Sequence, residues 1–76
     1  MCMLINLTND LKENKAIIVS IDEKVPDGYI SIAGAFIDGR DVEIAIPNKL
    51  MGNKSLFNNL ARQAQNCLVN SKVKYI

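Results

Sequence analysis

Residues 29–47, YISIAGAFIDGRDVEIAIP, decide the fold. Two β-branched and aromatic runs, 29–37 and 40–46, flank the turn pair Asp38-Gly39. Pro47 ends the second run, because it has no amide to continue a ladder. The pattern is a β-hairpin, and its register follows from the apolar spacing. Ile30, Ile32 and Phe36 share one face of the first strand, and Val42, Ile44 and Ile46 share one face of the second. Cross-strand partners lie on the same side of a sheet, so these even-numbered positions must pair with one another. A two-residue turn would pair Ile37 with Arg40 and put the two apolar sets on opposite faces. A three-residue loop of Ile37, Asp38 and Gly39 pairs Phe36 with Arg40, Ile32 with Ile44 and Ile30 with Ile46. It also sets Gly39 at the left-handed position of a bulge. The three-residue loop is the expectation.

Outward from the hairpin, residues 16–21 form a β-branched run, followed by a loop, 22–28, that contains Pro26 and Asp27-Gly28. A polar connection after Pro47 leads to Asn53 and Ser55, either of which suits the cap of a helix. In that helix Leu56, Phe57, Leu60, Ala61, Ala64, Cys67 and Leu68 fall on one stripe, and Asn58, Asn59, Arg62, Gln63, Gln65 and Asn66 on the other side. Asn70 suits a left-handed helix end, and residues 72–76 alternate as a short final strand. At the other terminus Met3, Leu4, Leu7 and Leu11 recur three and four apart. That spacing fits a short helix ending near Asn14, with a strand over 1–7 as the alternative.

The expected fold is α+β, one compact domain over residues 1–76. A three-stranded antiparallel meander packs on the C-terminal amphipathic helix, with a short N-terminal helix and a short final strand. The helix stripe should cover Ile17, Val19, Ile21, Ile30, Ile32, Ile44 and Ile46. This helix–meander–helix order resembles the double-stranded RNA-binding domain in topology. That family's clustered lysines at the start of the last helix are represented here by Lys54 alone, and no specific motif accompanies the resemblance.

The composition excludes more than it selects. At 76 residues a single core is only marginally sufficient, and with 5% aromatic residues and no Trp that core must be aliphatic. Ile, Asn and Lys make up about a third of the chain, a bias common to AT-rich bacteria, phages and plasmids. Histidine is missing, which removes most routes to acid–base catalysis at neutral pH, and no enzyme is expected. A net charge of +1 argues against both a nucleic-acid mimic and a basic coat for DNA.

Cys2 and Cys67 have no zinc spacing. Cys67 lies on the apolar stripe with no base nearby to activate it, so it reads as a core filler. Asp22, Glu23 and Asp27 share one loop and Asp38 and Asp41 another, neither with calcium-loop spacing. No metal and no cofactor is expected. Neither a signal segment nor a membrane-spanning run stands out, so the expected location is the cytoplasm, without membrane contact.

Two surfaces are candidates for function. The sheet face opposite the helix would carry Ile18, Ser20, Tyr29, Ser31, Ala33, Ala35, Glu43 and Ala45, small and nearly uncharged where a solvated face usually shows Thr, Lys, Glu and Arg. It suits a protein partner or a second copy in a homodimer, unless the N-terminal helix covers it. The alternative is nucleic acid held by Lys49, Lys54, Arg62, Lys72 and Lys74 near the start of the C-terminal helix and the final strand. Scarce aromatic residues weaken base stacking there. The functional expectation is a small non-catalytic protein-binding regulator or inhibitor of the kind phages and mobile elements encode.

Overall fold

A computed structural model describes residues 6–20, 23–37, 39–68 and 72–73. Its centre is the hairpin of β2 (Tyr29–Ile37) and β3 (Arg40–Pro47). Before it come α1 (Asn9–Glu13) and β1 (Ile17–Ser20). After it come a 3-10 helix (Asn48–Gly52), α2 (Lys54–Cys67) and β4 (Lys72–Val73). The antiparallel sheet packed on a C-terminal helix, with a short helix in front, is the α+β architecture the sequence predicts.

The strand order is β1-β3-β2-β4, so the three main strands are not a meander. Since β1 and β2 are both antiparallel to β3, they run parallel to each other with β3 between them. The connection over 21–28 must therefore travel back along β3, from the level of Val42 to that of Pro47. This distance of about 20 Å is well within the reach of eight extended residues. The change of order also removes the topological basis of the likeness to the double-stranded RNA-binding domain.

The hairpin register corrects the expected loop. Ile37 pairs with Arg40, so the turn has two residues, with Gly39 left-handed at φ 76°. Phe36 faces Asp41 rather than Arg40, and Ala33 rather than Ile32 faces Ile44. Ile30 does pair with Ile46, because the register shifts between Ser31 and Ala33. The extra residue that brings the apolar sets together sits inside β2 and not in the turn. Ile32, the extra residue within that shift, and Ala33, the first residue beyond it, are both fully buried in the main core, as expected where a bulge places two side chains opposite one.

This moves several residues across the sheet. Ala33, Ala35 and Ile37 join the α2 side, whereas Phe36 leaves the core and stands 64% exposed on the far side. β1 is reversed in the same sense. Ile18 and Ser20 pair with Ile44 and Val42 on the α2 side, and Ile17 and Val19 pair with Ala45 and Glu43 on the other. Ile21 lies outside the described residues.

α2 supplies the second half of the core with Phe57, Leu60, Ala61, Ala64 and Leu68, and it lies over β2, β4 and the 3-10 helix. Asn53 caps it, its side-chain oxygen accepting from the Leu56 amide at 3.2 Å. A 3-10 helix stands between β3 and α2 where the sequence reads as a polar connection, and its Leu50 and Met51 are half-buried against the core.

α1 packs on α2 rather than on the far face of the sheet, and its Leu11 is fully buried in the same core. Thr8 caps it, the hydroxyl accepting from the Leu11 amide at 3.3 Å. It ends in a Schellman motif: the Ala16 amide donates to the Leu11 carbonyl at 2.9 Å and the Lys15 amide to that of Lys12 at 3.1 Å. The left-handed position of that motif, usually glycine, is held by Lys15 at φ 64°. The 1–7 strand alternative, Asn70 and the strand beyond Val73 fall wholly or largely outside the described residues.

Candidate functional site

The far face of the sheet is less open at its centre than its composition suggests. Val19 and Ala45 lie there by register and are 6% and 0% exposed. The Ser31 hydroxyl oxygen, also on that face, is buried and without a hydrogen-bond partner. Of the eight residues expected to form the platform, Tyr29, Ser31, Glu43 and Ala45 do share this face. Ala33 and Ala35 belong to the α2 side, as do Ile18 and Ser20. The eight residues do not make one continuous surface.

What the face does offer lies at its end. β1 accompanies β3 only over Val42–Ala45, and β4 accompanies β2 only at Ala33 and Gly34. Among the described residues the hairpin therefore projects as a two-stranded ribbon from Phe36 to Asp41. Phe36 stands on its far side, with Gly34 two residues back on the same face and Asp41 across from it. Gly34 puts no side chain beside the ring, although a Cβ there would meet only ordinary contacts, the nearest being the Val42 carbonyl oxygen at 3.5 Å.

The chain has two phenylalanines, and the other, Phe57, is buried. An aromatic ring left this open on a protruding ribbon is suited to insert into an apolar pocket of a partner. Covering what remains of it is worth about 2–3 kcal/mol. The sequence placed Phe36 in the core on parity alone; Gly34 inside a strand was the signal that parity breaks there.

The basic candidates are dispersed. Lys49 is exposed on the 3-10 helix, Lys54 is exposed at the first position of α2, and Arg62 is exposed two turns further along. Lys72 stands in β4 in register with Gly34, and Lys74 lies outside the described residues. A shallow depression of about 650 Å³ on the outer side of α2 is lined by Asn53, Ser55, Leu56, Asn58, Asn59 and Arg62. Arg62 is the sole cation on its wall.

Gln63, assigned by the sequence to the solvated side of α2, is half-buried between the two helices. Its side-chain oxygen accepts from the Thr8 hydroxyl, and its amide nitrogen donates to Asp10 at 3.0 Å and to Asn59 at 3.3 Å. The Cys67 thiol donates to the Asn6 carbonyl at 3.2 Å, again joining α2 to the segment before α1. Both are structural links, and neither is placed for chemistry. No described helix is long and apolar enough to cross a membrane. No protein-family model, curated protein or solved structure matches the chain.

Proposed function

We propose that this domain is a small non-catalytic protein-binding regulator or inhibitor that engages its partner through the tip of the β2–β3 hairpin, with Phe36 as the anchor. The observation that carries the reading is the 64% exposure of Phe36 on a ribbon that neither neighbouring described strand accompanies. Large aromatic side chains at such positions are where interface energy concentrates. The absence of histidine and the near-neutral charge support a binding role over catalysis or phosphate attraction. Size and Ile, Asn and Lys content suit a phage or other mobile element and a cytoplasmic partner.

The test is capture from a lysate by the immobilised chain, with and without nuclease, beside Phe36→Lys and Lys54→Glu variants. The proposal expects a discrete protein that survives nuclease, is lost with Phe36→Lys and is kept with Lys54→Glu. Recovery that collapses on nuclease treatment, falls steeply with salt and is lost with Lys54→Glu would instead assign nucleic-acid binding to α2.

A further inference from the structure

The outer edge of β1 is a surface that the hairpin-tip reading leaves unused. β1 is an end strand of the described sheet, paired there with β3 alone, so its other row of amides and carbonyls has no ladder among the described residues. End strands are normally blunted by charge or proline. Residues 17–20, Ile-Ile-Val-Ser, contain neither, and Ile18 is 41% exposed beside the open edge.

The charges stand instead beyond the two ends of the strand, a net +1 over residues 12–15 (Lys12, Glu13, Lys15) and a net −1 over residues 22–24 (Asp22, Glu23, Lys24). Exposed Lys15 precedes β1 by two residues, and exposed Glu23 follows it by three. An antiparallel copy of a strand sets the start of one beside the end of the other. A strand that is basic before and acidic after is therefore complementary to itself.

We propose that two copies of this chain pair antiparallel through β1, making one sheet continuous across a two-fold axis. The faces fix the register. Opposed residues must lie on the same side of the sheet, so each must pair with a partner of its own parity. An axis through Ile18 satisfies this: Ile18 meets Ile18 of the second copy, Ile17 meets Val19, and Ala16 meets Ser20. The Glu23 amide donates to the Ser20 carbonyl at 2.9 Å, so the chain turns there and Glu23 stays close to the strand end. That brings Glu23 of one copy to Lys15 of the other, twice in the dimer. A ladder this short buries well under the ~1,200 Å² of a standard interface, so the association is weak and concentration-dependent.

Sedimentation velocity of the full chain between about 5 and 500 µM tests it, a range matched to weak interfaces. The mass should rise toward twice that of one chain across the series. Ile18→Lys should hold the protein monomeric with an unchanged melting temperature. Lys15→Glu or Glu23→Lys alone should weaken the dimer about tenfold, since each turns two attractive contacts into repulsive ones, and the two together should restore it. A chain that stays monomeric, a dimer indifferent to Ile18→Lys, or a double variant no tighter than the single ones would overturn the proposal. Phe36→Lys lies outside this interface and leaves the dimer intact, so this test and that of the hairpin tip fail separately.

Discussion

Single residues carry two features that no spacing rule announces. Lys15 holds the left-handed position that closes α1, a conformation costing a non-glycine residue about 1 kcal/mol. Lys15→Gly should therefore raise stability by about that amount in denaturant titration, with an unchanged m-value. Ser31 buries a hydroxyl oxygen with no partner, so Ser31→Ala should be neutral or stabilising by up to about 1 kcal/mol. A loss of stability from either change would contradict the local account. Other residue-scale features were legible. Asn53 caps α2 as one of the two residues the sequence offered, and Phe57, Leu60, Ala61, Ala64 and Leu68 of the expected stripe are buried, with Leu56 and Cys67 half-buried at its margins. Caps and stripes are local, and local chemistry is visible in a sequence. The left-handed Lys15 is imposed by how α1 must leave its last turn, and lysine gives no sign of it.

At the scale of elements, the hairpin shows what parity can and cannot decide. One extra residue was needed to bring Ile30 and Ile46 to one face, and that requirement was correct. Turn preference assigned the extra residue to the loop, whereas it lies at Ile32, inside β2. The consequence is confined to one half of the strand: pairing before the bulge is as expected, and beyond it Phe36 and Ala35 exchange faces. The face of β1 is reversed for a different reason. In the run of residues 16–21 both parities are apolar, so the pattern leaves its face undetermined. The junction of the helices was also out of reach, because Thr8, Asp10 and Gln63 meet across 53–55 residues of chain. Gln63→Ala removes all three of its side-chain bonds. It should cost about 1–2 kcal/mol and speed amide exchange in α1 more than in β3; equal acceleration throughout would mean that Gln63 does not clamp α1 in particular.

Over the whole molecule, the strand order mattered most for function and was the least legible. A loop of eight residues permits either a neighbouring strand or a crossing, and local propensity does not choose between them. With β1 beside β3, no described strand accompanies the hairpin tip, and β1, which carries Ile18, is the end strand of the described sheet. α1 docks on α2 and buries Leu11 in the shared core. The candidate platform thus contracts from eight residues to a ribbon end, where Phe36 is the large apolar side chain left exposed among the described residues. The measurement that tests this most directly is amide hydrogen exchange of the chain, free and in its captured complex. Slowed exchange concentrated in residues 35–42, with α2 unchanged, is the predicted result. Protection confined to residues 53–62 of α2, with the hairpin tip exchanging as in the free chain, would contradict it.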